Sequence, residues 1–212
     1  MYIGRIVSIA TSTADRLCAI YRVSSRSFPN RQATMKADTV SIVPKEGFET
    51  DVQKNPYIAY NCVRILLDGA VAVASNGSHT DPIAEKIAQG MAVRDALTLS
   101  LMALDYEKDQ YNTPRICAVA DKRTRQGWLG IVREDGIAVR RMALTPGRFF
   151  YIATYEEVHP SDHHAGDFPA TDAEAACDFI LGGGVFAERE NAVTAVAAME
   201  TAHGFELAAK DV

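Results

Sequence analysis

The sequence predicts an α+β protein built on largely antiparallel sheets with helices on the outside. Three observations carry that expectation. Short β-type runs recur with hairpin signals between them. One long segment switches to a helical apolar spacing, and the regular strand–helix alternation of a doubly wound parallel sheet is absent.

Taken in order, residues 2–9 and 17–23 read as strands, joined by the polar segment Thr11-Ser12-Thr13-Ala14-Asp15. A third run, residues 39–43, stops at Pro44. Beyond a polar stretch holding Gly47 and Pro56, residues 62–67 and 70–74 pair across Asp68-Gly69, a turn signal because the turn needs positive φ. From Asp81 to Asp105 the period changes. Ile83, Ile87, Met91, Ala92, Leu97, Leu101 and Leu104 recur at three- and four-residue steps. Thr80 or Asp81 can cap that helix, Pro82 suits its first turn, and Gly90 marks a bend or a split in two. Strands resume over residues 115–120, 127–132, 137–144 and 149–155, with Glu134-Asp135-Gly136 as a further tight turn. Residues 172–181 and 188–203 read as helices around a flexible Gly182-Gly183-Gly184 connector. The pattern leaves the number of sheets open. It shows no seam, so residues 1–212 read as one domain.

A chain that is 48% hydrophobic and 23% charged belongs with ordinary globular proteins. Its net charge of −5 gives no global field for nucleic acid or an anionic membrane, so an anionic ligand needs a local cation cluster. No apolar run approaches the roughly 18 residues of a membrane helix, and the first residues lack a secretory pattern. Cys18, Cys62, Cys117 and Cys177 lie far apart among apolar neighbours. They read as buried reduced thiols of a cytoplasmic protein. Asn76-Gly77-Ser78 matches a glycosylation sequon, which means little without secretion.

Five segments have the residue types for chemistry. Tyr21 to Arg31 gathers Arg22, Arg26 and Arg31 with Ser24, Ser25 and Ser27. Guanidinium forks match phosphate oxygens and hydroxyls complete such a cradle, although a solvated loop has the same composition. In Asn55 to Asn61, Tyr60 beside Asn61 can position a carbonyl or donate a proton; a half-buried aromatic turn explains it equally well. Ser75 to Pro82 opens the long helix, where backbone amides favour an anion or simply cap the helix. Asp105, Glu107 and Asp109 either finish a charged helix end or place one carboxylate in a cleft as acid or base. His159, Asp162, His163, His164 and Asp167 form a metal-capable loop, although exposed loops of this kind are common without metal. No cysteine lies in a polar context that would activate it, and neither a Gly-x-Ser-x-Gly motif nor an N-terminal Ser, Thr or Cys offers a nucleophile.

The stretches Met1-Tyr2-Ile3-Gly4-Arg5-Ile6, Tyr21 to Arg31, Asn55 to Arg64, Ser75 to Asp81 and Asp105 to Arg115 occur in an order and spacing that resemble the archaeal-type inosine monophosphate (IMP) cyclohydrolases. The likeness runs from Met1 to about Gly184. It implies a four-layer αββα sandwich like that of the N-terminal nucleophile hydrolases, without autoprocessing. It also implies a reaction of purine biosynthesis, closure of 5-formamidoimidazole-4-carboxamide ribonucleotide to IMP with loss of water, needing neither cofactor nor metal.

On that resemblance Arg22 and Tyr60 are expected on the electrophilic side and Glu107 as the proton shuttle. Arg26 and Arg31 are expected at the 5′-phosphate, with Asn30, Asn61, Ser78 and Asn112 bonded to base and ribose. The implied partner is a small ribonucleotide, with neither nucleic acid nor membrane. The apolar run Ala192, Val193, Val196, Ala197, read as helical, suits a homo-oligomer interface as well as a core. Three rivals remain at this stage. They are a non-catalytic nucleotide binder, an amidohydrolase exposed by internal cleavage, and a metal hydrolase using the 159–167 loop.

Overall fold

The computed structural model describes residues 1–212. Two fully antiparallel sheets stack face to face. One sheet contains β1 (Ile6–Thr11), β2 (Leu17–Ser24), β10 (Arg148–Ala153), β11 (Ala165–Asp167), β12 (Ala192–Thr201) and β13 (Gly204–Asp211), in the order β11-β10-β1-β2-β12-β13. The other runs β3 (Arg31–Lys36), β4 (Thr39–Pro44), β5 (Tyr60–Leu66), β6 (Val71–Ser75), β7 (Arg115–Asp121), β8 (Gln126–Arg133) and β9 (Gly136–Met142), each beside its neighbour in sequence. The helices are a short α1 (Asp51–Lys54), α2 (Thr80–Ala88), α3 (Val93–Leu104) and α4 (Ala173–Gly182).

Three apolar clusters explain the stacking. The largest, 25 buried residues, lies between the sheets. A second joins the outer face of the β1–β2–β12 sheet to α4 through Phe149, Phe168, Phe179 and Phe186. A third joins the other sheet to α2 and α3 through Ile83, Ile87, Leu97 and Leu101. The central strands are therefore buried on both faces and read as continuous apolar runs instead of alternating ones.

Alternation still decides where each polar side chain goes. On β2, Leu17, Ala19, Tyr21 and Val23 face the other sheet, while Cys18 and Ile20 face α4. Arg22 continues the α4 face. Tyr60, Cys62 and Ile65 of β5 likewise point between the sheets, and Asn61 points the other way toward Asp81 of α2.

The antiparallel reading holds, and the long helix does split: Gly90, at φ +92°, turns the chain between α2 and α3. Leu67, Asp68 and Gly69 all adopt positive φ in the turn between β5 and β6. The expected C-terminal helix at residues 188–203 is instead the central strand β12, paired with both β2 and β13. Eight consecutive buried positions make its apolar run featureless, so no period separates strand from helix. The run Ala192, Val193, Val196, Ala197 is thus sheet, with Val193 and Val196 in the core between the sheets. Gly182-Gly183-Gly184 forms a packed turn: a Cβ on Gly183 would stand 2.7 Å from the Phe179 ring, and Gly184 sits at φ +52°. No helix is long and apolar enough to cross a membrane.

Candidate active site

A cleft of about 670 Å³ opens where the loop after β2 meets the α1 region and the loop before β7. Its walls carry Arg5, Arg26, Arg31, Lys54 and Lys108 against two carboxylates, Asp109 and Glu156, so the site is locally cationic on an acidic protein. Ser24, Ser25 and Ser27 line it, as do the rings of Tyr2, Tyr57, Tyr111 and Tyr155. The Arg26 guanidinium lies 3.9 Å above the centre of the Tyr2 ring, which holds a solvent-exposed cation over the cleft. Arg31 is buried. Its Nε donates to the Phe28 carbonyl, while Nη1 finds no partner within the chain.

Behind this wall lies a polar nucleus. Glu107 is 1% exposed, and its Oε2 accepts from Arg5 Nη2 at 3.3 Å. Arg115 Nη1 stands 3.8 Å from Oε1, too far to donate a hydrogen bond. Burial pushes the Glu107 carboxyl above the usual carboxylate range, against the pull of Arg5 and Arg115. Arg5, also buried, is held above its ordinary value chiefly by Glu107, with Tyr60 and Tyr21 adding to it and burial opposing. The Tyr60 hydroxyl lies 2.5 Å from that of Tyr21. Burial raises the Tyr60 phenol, whereas the charges of Arg31 and Arg5 lower it.

Local geometry builds this nucleus. After α3 the chain turns at Asp105, φ +55°, and returns at Asn112, φ +46°. Asp109 pins the loop by accepting from the amides of Tyr111 and Thr113 and from the Thr113 hydroxyl. Of the three acidic residues, Asp105 therefore pairs with Lys108, Asp109 organises the loop, and Glu107 alone is buried against cations. Gly77 completes the packing. A Cβ there would stand 2.7 Å from Arg115 Nη1, 3.2 Å from Glu107 Oε1 and 3.3 Å from His79 Nδ1. His79 Nε2 meets the Ile116 carbonyl at 3.0 Å and must donate to it, so Nδ1 is a bare acceptor. Burial, aided by Arg115, lowers His79 to about 3 and keeps it neutral.

Of the expected set, Arg26 and Arg31 line the cleft, Tyr60 and Glu107 lie buried behind it without lining it, and the rest are elsewhere. Arg22 is fully buried on the α4 face. It donates to Ser24 Oγ and to the carbonyls of Ile180, Leu181, Arg189 and Glu190, with no surface toward the cleft. Asn61 is bonded to Ser41 and Asp81, beside an Arg64–Asp81 ion pair. Asn112 donates to Glu134 outside the cleft, Ser78 is exposed, and neither Ser78 nor Asn30 lines the cavity. In the 159–167 loop, Asp162 pairs with Arg140, Asp167 with Arg148, and His164 with the His159 carbonyl. Arg5, Tyr21, Tyr57, Arg115 and His79 were missed. Arg5 had two signals: it lies in the Met1–Ile6 stretch that resembles the family, and it is the sole charged side chain before Asp15.

A cationic cleft backed by a dry carboxyl and paired phenols defines an enzyme-like site for a small anionic, polar ligand. Residues 2–204 match the family model described as IMP cyclohydrolase-like protein, and the chain belongs to that family. The chain is 48% identical over 93% of its length to an IMP cyclohydrolase of Methanosphaera stadtmanae, covering 94% of that protein. It is 51% identical to one from Methanocella arvoryzae over 74% of this chain and 75% of the other. The counterpart from Methanocaldococcus jannaschii is 40% identical over 99% of both chains.

Proposed function

We propose that this protein is an IMP cyclohydrolase, closing 5-formamidoimidazole-4-carboxamide ribonucleotide to IMP and water. The observation that carries the reading is Glu107, buried against Arg5 immediately behind an arginine- and serine-lined cleft, in a chain of this family. The substrate's carboxamide nitrogen attacks the formyl carbon within the same molecule. A C–N bond forms as the formyl oxygen takes the electron pair, and the attacking nitrogen loses a proton while the oxygen gains one, giving a carbinolamine. Loss of that hydroxyl as water, with a proton leaving the nitrogen, forms the C=N bond. Holding the two groups in attack geometry contributes several kcal/mol.

The electrophilic role expected of Arg22 passes to Arg5, which both lines the cleft and touches Glu107. Tyr60 and Arg5 stabilise the developing oxyanion, and Glu107 moves the proton that lets oxygen leave. Arg26 and Arg31, with Ser25 and Ser27, hold the phosphate. Asn55, Tyr57, Gln110 and Tyr111, which line the cavity, meet the ribose and base in place of Asn30, Asn61, Ser78 and Asn112. The reading takes residues 1–212 as one domain, a four-layer αββα relative of the N-terminal nucleophile hydrolases that needs no self-cleavage. Four buried free thiols suit its placement in the cytoplasm.

The test is a spectrophotometric assay with the formamido ribonucleotide, chelator present and no cofactor added. Conversion to IMP, abolished by Glu107→Gln, is the expected result. Tight nucleotide binding without turnover would make the chain a non-catalytic binder and overturn the proposal.

A further inference from the structure

The paired hydroxyls of Tyr21 and Tyr60 pose a question of proton placement. They lie 2.5 Å apart in the space between the sheets, and neither makes another hydrogen bond in the chain. Each phenol has one proton. One proton lies in the bond and the other is left over. If Tyr60 donated, the spare proton would sit on Tyr21, which is 0% exposed and walled by apolar side chains. An unpaired donor buried there is costly. With Tyr21 donating, the spare proton belongs to Tyr60, which keeps 8% of its surface exposed.

The charges around the pair favour the same direction. Tyr60 is faced by Arg31 of β3, by Arg5 from the segment leading into β1, by Tyr21 of β2 and by Cys62 of its own strand. The same two cations also act on Tyr21, but Arg5 interacts more strongly with Tyr60 than with Tyr21, which favours electron density on the Tyr60 oxygen and makes it the better acceptor within the pair.

We propose that Tyr21 is a positioning residue for ring closure: its hydroxyl donates to Tyr60, so that the Tyr60 proton is aimed outward at the ligand's reacting oxygen. This rests on the cyclohydrolase reading. As the formyl oxygen gains charge and draws on the Tyr60 proton, the Tyr21 hydrogen bond supports the charge growing on the Tyr60 oxygen. Without that donor the Tyr60 proton is free to turn back toward the Tyr21 position.

The test removes one oxygen atom. In Tyr21→Phe, turnover is expected to fall about tenfold with KM nearly unchanged, and the Tyr60 titration to move up by about one pH unit. That titration is followed by tyrosinate absorbance, with Tyr60→Phe as the reference that identifies the signal. Unchanged kcat and unchanged titration, with only a lower Tm, would reduce Tyr21 to a packing residue and overturn the proposal.

A measurement on the unmutated strand keeps the idea falsifiable if Tyr21→Phe fails to fold. In protein isotope-labelled at tyrosine Cζ, the resonance deleted by Tyr60→Phe should titrate before that of Tyr21, and the reverse order would refute the assignment. Full activity of Tyr60→Phe would strike the role of Tyr60 in the proposed reaction instead, which the titration experiments distinguish.

Discussion

Arg5 and Arg22 are both buried arginines close together on one sheet, yet they serve opposite faces of it. Ile6 lies directly across from Arg22 and shares its face, so Arg5, one residue earlier, projects between the sheets. Arg5 meets a carboxylate and borders the cleft. Arg22 meets no anion. Backbone carbonyls at the end of α4 and at residues 189–190 occupy its donors, and burial lowers it to about 10. The same side chain thus borders the cleft on one face and clamps backbone carbonyls on the other. Burial alone does not distinguish the two; the partners do.

The largest expected effect separates these faces. Arg5→Lys should cut turnover by about a hundredfold or more, since a lysine cannot reproduce the guanidinium placed between cleft and Glu107. Arg22→Lys should leave turnover per folded molecule intact and lower stability by about 2–3 kcal/mol, because several carbonyls lose their donors. Denaturant melts alongside single-concentration assays decide this, and equal losses of turnover in both variants would break the division.

Gly77→Ala sharpens the same contrast. Its Cβ would stand 2.7 Å from Arg115 Nη1, so the packing behind Glu107 must shift at a cost of about 1–3 kcal/mol, with activity falling alongside Tm. A pH series comes next. His79 has its folded value depressed from 6.5 to about 3, so the unfolded chain binds a proton that the folded chain refuses across that window. Stability is therefore fully present above pH 6.5 and declines by about 1.4 kcal/mol per pH unit below it. His79→Gln should lose that component of the acid slope in chemical denaturation, and an unchanged slope would assign it elsewhere. The smallest effect is at the rim. Arg26→Ala should raise KM by about tenfold with little change in kcat, as expected for an exposed phosphate contact, read from initial rates.

Strand and turn placement was legible wherever the chain punctuates itself. Asp68-Gly69 and Gly90 mark the turns they were expected to mark. β12 was not legible, because a strand buried on both faces carries no alternation. β3 and β13 were missed too; both are outermost strands of their sheets, with mixed polar and apolar sequences that are partly exposed. At the candidate site, motif content pointed to Glu107, Tyr60, Arg26 and Arg31, which lie in or behind the cleft, but could not choose between neighbours. Tyr21 and Arg22 are adjacent in sequence and face opposite layers, as do Tyr60 and Asn61. A shift of one residue along a strand exchanges core for helix side. Motif membership therefore gives proximity in sequence, and only the register says which of two adjacent polar residues faces the space between the sheets.

The pairing of β2 with β12 has a consequence for how this protein acquires its shape. The strand that presents Tyr21 is completed on one side by its neighbour β1, while its other side waits for residues 192–199. On a ribosome, the β3–β9 sheet, built from consecutive neighbours, can assemble as it emerges. The sheet bearing Arg5 and Tyr21 must hold an open edge until the last strands are made. Long-range closure of this kind is slow and leaves apolar strand edges exposed meanwhile. Synthesis should thus pass through a stage in which every residue lining the cleft has been made and one sheet is built, while the other still lacks β12 and β13.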